Sequence, residues 1–177
     1  MNELLNMKRH GLAHVMAQAI QENFENVKCA TGPFTDDGFY YDFDFNGQEF
    51  SEKDFKTIEK SMKKIISQNQ DFRVFEVDYD LARKILKSMW EDFKVELVNK
   101  LQEWDFKNKE KITWKITFYI NISKWKSANP HMQRIQNALQ DGIKWVPIYD
   151  FSEMDGDQVK NLKFIDMCAG PHVANTR

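Results

Sequence analysis

One thiol and three imidazoles occur in two short motifs at opposite ends of the chain. Cys168 and His172 flank an Ala-Gly-Pro turn, where Gly relaxes the backbone and Pro fixes it, so both side chains can point into one space. His10 and His14 are four residues apart, the spacing that places two side chains on one face of a helix. The motifs lie about 150 residues apart, and we expect the fold to bring them together.

These residue types are compatible with three kinds of chemistry. Three imidazoles and a thiolate form a tetrahedral zinc set, and zinc would supply a hydroxide near neutral pH. Without metal, the same groups could hold a small polar substrate and a water while a His or Lys moves protons. A nucleophilic Cys168 with His172 as its base is the third alternative. Asp166 is placed to accept a ring N–H or to bind a substrate amine.

The composition is that of an ordinary globular protein. The chain has 177 residues, of which 42% are hydrophobic and 29% charged, and its net charge is −2. A nucleic-acid partner would therefore need a local basic patch or another domain. Two distant cysteines form no disulfide framework. The N-terminus lacks a signal sequence and no apolar run is long enough to span a bilayer, so we expect a cytoplasmic protein without membrane association.

Hydrophobic periodicity predicts an α+β fold, an antiparallel β-sheet with long helices packed on it. The predicted helices cover residues 4–25, 51–70, 78–89 and 130–139. The predicted strands cover 28–34 and 38–45, which an Asp-Asp-Gly turn joins as a hairpin, and 72–77, 111–122, 145–151 and 162–167.

Other polar residues have simpler interpretations. Asp42 and Asp44 alternate with aromatic residues and are interpreted as the solvent-facing side of a strand. By pattern alone, Lys94 is one exposed lysine among many. Lysines and aromatic residues alternate over 107–126, which suits either a phosphate-contacting patch or a solvated strand face; we favour the second. Cys29 is interpreted as a small buried apolar residue.

Four blocks of sequence, in the right order, resemble the editing domain of bacterial-type threonyl-tRNA synthetases. They are Arg9-His-Gly-Leu-Ala-His14, Gly32-Pro33 with Asp37-Gly-Phe-Tyr-Tyr-Asp-Phe43, Glu91-Asp-Phe-Lys-Val-Glu-Leu97 and Asp166-Met-Cys-Ala-Gly-Pro-His-Val173. The resemblance covers roughly 7–98 and 146–177. Alanyl-type editing proteins share the His-x3-His and Cys-x3-His pairs, but usually have Cys-Gly-Thr-His in the second.

The resemblance implies an aminoacyl-tRNA deacylase with a threonyl/alanyl-tRNA synthetase editing-domain fold. Its substrate would be threonine tRNA mischarged with serine, and water would cleave the ester at the 3′ adenosine. Such a second, smaller site removes mischarged serine, which the synthetic site cannot strongly reject by binding alone. The implied catalytic residues are His10, Lys94 and His14, and the implied substrate-binding residues are Cys168, His172 and Asp166. No cofactor is implied; a zinc ion, if present, would be held by His10, His14, Cys168 and His172.

The sequence also departs from the family pattern. Gly11 replaces a small hydroxyl residue, and Ala169 replaces an Arg or similar residue, which would weaken a phosphate or 3′-end contact. We interpret residues 1–177 as a single editing domain with a β-rich insertion at about 99–144. From the resemblance we expect that this chain lacks the small domain that commonly precedes the editing domain. We also expect an aminoacylation core to follow in a full-length protein, so that the chain would be either an excised domain or a free-standing editor.

Two alternative functions remain open at this point. One is a zinc-dependent, alanyl-type aminoacyl-tRNA editor. The other is a tRNA-binding module without catalytic activity, in which the His/Cys set is a structural metal site.

Overall fold

The computed structural model describes residues 3–108, 116–122 and 162–177. Its elements are α1 (Glu3–Asn23), β1 (Lys28–Cys29), β2 (Phe43–Asp44), a 3-10 turn (Glu52–Asp54), α2 (Phe55–Ser67), β3 (Asp71–Val77), α3 (Tyr79–Ser88), α4 (Asp92–Asn108), β4 (Ile116–Ile122) and β5 (Leu162–Met167). The α+β prediction with an antiparallel sheet is confirmed. The helix predicted at 130–139, the strand predicted at 145–151 and residues 111–115 lie outside the described residues.

Three antiparallel strands form the main sheet in the order β3-β4-β5. One face of the sheet packs against α3 and α4 in a core where Phe75 and Phe118 stack with ring centroids 5.1 Å apart. Burying one such side chain stabilises the fold by roughly 1.5–3 kcal/mol. Phe164, which pairs with Asn121, faces away from this core and packs on α1. The register shift between Asn121 and Ile122 places Leu162 in the same core as Ile165.

The second face of β4 is partly covered: Asn121 is buried, and Thr117 and Tyr119 are half-buried. Asn121 is fully buried and its amide donates to Gln18 of α1 at 3.1 Å. Tyr119 lies against His172, with ring centroids 4.2 Å apart. The prediction of a solvated strand face is wrong at Asn121, because α1 covers this position. The phosphate-contacting alternative stays a prediction. The lysines beyond Lys107 in that segment lie outside the described residues.

The predicted hairpin is present, although its regular pairing is short. β1 and β2 pair through Lys28 opposite Asp44 and Cys29 opposite Phe43, and a further bridge joins Phe34 to Phe39 next to the turn. The hairpin packs through Tyr41 and Cys29 on α1 and Phe164. Cys29 is therefore the buried residue that the sequence predicted. Asp42 faces solvent as predicted, and Asp44 is half-buried.

α4 extends ten residues into the segment predicted to be a β-rich insertion. Residues 99–108, which precede the strand predicted at 111–122, continue the helix that begins at Asp92. β4, from the same segment, is the central strand of the sheet. The prediction of an insertion stays untested, since most of its span lies outside the described residues. Within the described ranges, no helix has the length and apolar character needed to cross a bilayer.

Candidate active site

The two motifs from opposite ends of the chain meet in one cluster. The ring centroids of His10 and His172 are 4.1 Å apart, and those of His14 and His172 are 4.3 Å apart. The sulfur of Cys168 lies 3.1 Å from Nε2 of His10 and 3.3 Å from Nε2 of His172. α1 supplies the first pair of residues and the turn that follows β5 supplies the second. The predicted meeting of the motifs is therefore observed.

Close packing between α1 and the C-terminal segment allows this approach. A Cβ added at Gly11 would lie 3.3 Å from Cγ2 of Val173 and 3.7 Å from the ring of Phe72. Phe72 in turn stacks on His172 with ring centroids 5.3 Å apart. The backbone N–H of Cys168 donates to the carbonyl of Thr117 at 3.0 Å, which extends the β-sheet pairing one residue past the strand. Gly11, which the sequence marked as a departure from the family, thus lies where space is limited.

The hydrogen bonds of His10 indicate which of its nitrogens faces the thiol as an acceptor. Nδ1 lies 3.3 Å from the carbonyl oxygen of Pro171. Because a carbonyl can only accept, the neutral imidazole has its proton on Nδ1. Nε2 therefore presents a lone pair toward the sulfur of Cys168, where it can accept a proton or bind a metal.

Burial favours the uncharged forms of all four groups. Desolvation lowers the pKa of His172 to about 2, helped by the neighbouring His14 and His10. It also lowers the pKa of His10, and it lowers that of His14 well below the ordinary 6.5. Desolvation raises the pKa of the Cys168 thiol to about 12. A reactive cysteine normally has a depressed pKa, so this environment does not favour the nucleophilic alternative.

A buried ion pair lies beside the cluster. The ammonium of Lys94 donates to Oδ1 of Asp166 at 2.5 Å, and the hydroxyl of Tyr41 donates to Oδ2 of the same carboxylate at 2.6 Å. The side chains of Lys94 and Asp166 are each only 3% exposed. Burial alone would lower the pKa of Lys94, but attraction to Asp166 and Glu91 outweighs it and raises that pKa. His14 is 3.7 Å from the carboxylate of Asp166, which is too far for a hydrogen bond.

Two sequence interpretations change here. Lys94 is not an exposed lysine, because it lies in the first turn of α4 and its ammonium donates to the carboxylate of Asp166 on β5. Tyr41 was not identified as a site residue from the sequence. Its place in the alternating aromatic pattern of 39–45 indicated burial, but the pattern gave no sign of a carboxylate partner 125 residues away in the chain.

The cluster opens into a cavity of about 350 Å³. Functional side chains on its wall are His10, His14, Tyr41, Asp166 and Cys168, and the hairpin segment 30–34 closes one side. Lys94 and His172 are not on the wall. Lys94 lies behind Asp166 and Tyr41, and His172 lies among the rings of His10, His14, Phe72 and Tyr119. The cavity therefore offers an imidazole, a thiol and a carboxylate to a small polar ligand.

The four His/Cys residues also satisfy the basic requirements of a metal site. One ligand atom from each residue can be chosen such that all four lie within 4.8 Å of one another. A set of three nitrogens and one sulfur suits tetrahedral zinc. Nδ1 of His14 and Nδ1 of His172 have no hydrogen-bond partner among the described residues, so neither ring is held by the outer hydrogen bond that metal-bound histidines usually make.

A second carboxyl group is buried near this site. Glu91 is 1% exposed, and its Oε2 accepts the backbone N–H of Cys29 at 2.9 Å. Desolvation raises the pKa of Glu91 from 4.5 to about 7; the charge of Lys94 opposes this rise, and that of Asp166 adds to it.

Glu91→Gln should remove a pH dependence of stability. The pKa of Glu91 is higher in the folded state than in the unfolded state, so its ionisation destabilises the wild type as pH rises from 4.5 through 7. Relative to Glu91→Gln, the free energy of unfolding of the wild type should fall by up to about 3 kcal/mol between about pH 5 and pH 8. Urea unfolding of both proteins across this range measures the difference; parallel curves would contradict it.

Gly170 occupies a position in the C-terminal turn that excludes a side chain. Its φ is +70°, and an added Cβ would lie 2.2 Å from the hydroxyl oxygen of Tyr119. Gly170→Ala should therefore destabilise the protein by more than the roughly 1 kcal/mol of a left-handed alanine. Gly47→Ala is the matched control, because Gly47 has φ +80° and a Cβ added there would meet nothing within 4 Å. Chemical denaturation of the two variants isolates the clash, and equal losses would argue against it.

Comparison with known proteins identifies relatives over nearly the whole chain. No protein-family profile matches. The threonine–tRNA ligase of Pseudarthrobacter chlorophenolicus is 36% identical over 174 residues, covering 98% of this chain and 21% of the ligase. That of Bifidobacterium longum (strain NCC 2705) is 35% identical over 173 residues, covering 98% and 20%. That of Synechococcus sp. (strain CC9902) is 33% identical over 169 residues, covering 96% and 19%. The chain thus spans about a fifth of the length of these relatives.

Proposed function

We propose that this chain, which is related to one segment of the threonine–tRNA ligases, hydrolyses the ester of serine on mischarged threonine tRNA. The observation that carries the proposal is the cavity in which His10, His14, Cys168 and Asp166 converge. Such a cavity can bind a small hydroxylated amino acid and a water. In this proposal an aminoacylation core accompanies the domain in the full-length protein, and the domain acts on the tRNA that the core has charged.

Asp166 would bind the amino acid. Its carboxylate lies on the cavity wall and can accept hydrogen bonds from the α-ammonium group of a seryl ester. Tyr41 and Lys94 hold this carboxylate from behind at 2.6 and 2.5 Å. Lys94 does not reach the cavity, so we assign to it the role of orienting Asp166 and offsetting its charge. The predicted role of Lys94 in transition-state stabilisation would then act through Asp166 and Tyr41.

His10 would act as the general base. In the substrate complex, a water beside Nε2 of His10 takes the place of the thiol as hydrogen-bond donor. Nε2 accepts a proton from this water as its oxygen attacks the ester carbonyl carbon. The carbon–oxygen bond to the ribose then breaks, and the proton passes to the ribose oxygen. The products are free serine and tRNA with its terminal hydroxyl restored.

Selectivity against threonine would come from size. Threonine carries one more methyl group than serine, and in the cavity that methyl would clash with the wall or displace the water. A synthetic site that must accept threonine cannot strongly reject a smaller side chain, whereas a second, smaller site can act on the smaller product alone.

A zinc-dependent, alanyl-type editor is the second candidate function. The His10, His14, Cys168 and His172 ligand set is the observation that favours it. When bound there, zinc would polarise the ester carbonyl or lower the pKa of a bound water. We favour hydrolysis without metal. Removal of metal by a chelator should then leave the turnover number unchanged, whereas tight stoichiometric zinc with lost turnover after chelation would support the alternative.

The rates on two esters test the proposed function. The protein should release serine from seryl-tRNA(Thr) much faster than threonine from threonyl-tRNA(Thr). Equal rates or no release would contradict the proposal. A preference for seryl- or glycyl-tRNA(Ala) would support the alanyl-type candidate, and binding of tRNA without turnover would indicate a tRNA-binding module without catalytic activity.

A further inference from the structure

Glu91 connects α4 and the hairpin, which carry the two donors to Asp166, Lys94 and Tyr41. The proposed reaction gives Glu91 itself no role. It directly precedes α4, and its backbone carbonyl accepts the N–H groups of Lys94 and Val95, each at 3.0 Å. Its side chain turns to the other element, because Oε2 accepts the backbone N–H of Cys29 in β1 at 2.9 Å. One buried residue therefore fixes the first turn of α4 against the hairpin.

The backbone that Glu91 holds continues directly to Tyr41. Next to Cys29, the N–H of Ala30 donates to the carbonyl of Asp42, and the N–H of Asp42 donates to the carbonyl of Thr31, both at 2.9 Å. Both bonds are made by the backbone of Asp42, the residue that follows Tyr41. The strand is closely apposed to the Tyr41 ring, since a Cβ added at Gly32 would lie 2.0 Å from it. A shift of this strand relative to α4 would therefore move Tyr41 relative to Lys94.

We propose that Glu91 is a positioning residue: its carboxyl group fixes α4 against β1 and thereby sets Lys94 and Tyr41 on the two oxygens of Asp166. The catalytic consequence rests on the proposed function, whereas the positioning itself does not. An exposed ion pair joins the same elements, between Lys28 and Asp92 at 2.6 Å. That pair is solvated and should contribute little.

The charge of Glu91 also affects the electrostatics of Lys94, which it positions. The charged and titratable groups that face it are Lys94 on α4, Asp166 on β5, Lys28 and the Cys29 thiol on β1, and the Tyr41 hydroxyl on the hairpin. When Glu91 ionises, two buried carboxylates share the ammonium of Lys94. The site then carries one more negative charge, which disfavours the oxyanion that forms when water attacks the ester. Ionisation of Glu91 should therefore slow the reaction.

Chemical modification of Lys94 tests the positioning without reference to activity. Amine acetylation with peptide mass spectrometry should show Lys94 protected in the wild type and in Glu91→Gln, whose amide oxygen still accepts from Cys29. Acetylation should rise about tenfold in Glu91→Leu and in Glu91→Asp, whose shorter side chain cannot span the same distance. Asp92→Asn, which breaks the exposed pair, is the matched control and should match the wild type. Equal protection of Lys94 in folded Glu91→Asp would overturn the proposal.

Kinetics on the seryl ester give the second readout. Glu91→Asp should lower kcat by about 10–100-fold, the usual consequence of misplaced site groups, and should raise KM, because Asp166 binds the amine of the substrate. The ratio of wild-type kcat to Glu91→Gln kcat should fall as pH rises through about 7. A purely structural role would leave this ratio constant and would make kcat follow the folded fraction. If Lys94 protection changes as expected but even the wild type releases no serine, the proposed function fails and the positioning stands.

Discussion

His10→Ala should lower the rate of serine release from seryl-tRNA(Thr) by about 10²–10⁴-fold, the range expected when a general base is removed. His10 lies on the cavity wall, and its Nδ1 contact with Pro171 directs the Nε2 lone pair toward the place where the water would bind. No other described imidazole on the wall has its Nδ1 held in this way. Single-turnover hydrolysis measures the loss directly.

The control for this prediction lies two residues away on the same helix. Lys8 is exposed, so Lys8→Ala should keep the wild-type rate. His10→Ala should retain the fold, because the polar contacts described for this ring are those to Pro171 and Cys168, and a typical hydrogen bond contributes only about 1 kcal/mol. A His10→Ala variant that folds and hydrolyses within about threefold of the wild-type rate would exclude His10 as the base.

Lys94→Met should lower the free energy of unfolding by about 3–5 kcal/mol, the usual effect of removing one partner of a buried ion pair. The variant leaves the carboxylate of Asp166, whose side chain is 3% exposed, without its cation. Tyr41 would remain as its one described hydrogen-bond donor. Urea unfolding with a two-state fit measures the change.

Two further variants separate charge from packing in this result. Lys28→Met removes an ion pair of similar length, 2.6 Å, whose partner Asp92 is 70% exposed, so its loss should be at most about 1 kcal/mol. Adding Asp166→Asn to Lys94→Met removes the uncompensated charge and should restore part of the stability. If both variants lost the same free energy of unfolding, the Lys94–Asp166 pair would stabilise the fold no more than the exposed Lys28–Asp92 pair does.

Local sequence patterns were enough to predict most of the described elements. The apolar periodicity of 4–25 predicted α1, and alternation predicted β3 and β4. The i,i+4 spacing of His10 and His14, with the Cys-x3-His turn, predicted a shared site. The resemblance to threonyl-tRNA synthetases is confirmed by the relatives that align over nearly the whole chain.

The sequence did not predict pairs of buried polar residues that are distant along the chain. Lys94 looks exposed in the sequence because lysines are usually solvated, and its partner Asp166 is 72 residues away. Asn121 looked solvated because it alternates with apolar residues, yet Gln18 of α1 satisfies its amide. In both cases a polar residue is buried because a specific tertiary contact pairs it, and no periodic pattern encodes that contact.

The proposed function requires that the His/Cys cavity binds the seryl end of the tRNA. The most direct test is a crystal structure with a stable amide analogue, in which serine is joined to 3′-amino-3′-deoxyadenosine. We expect its α-ammonium group within hydrogen-bond distance of Asp166 and its acyl carbon facing Nε2 of His10. An analogue that binds elsewhere on the protein, or that leaves the cavity empty at saturating concentration, would contradict this assignment.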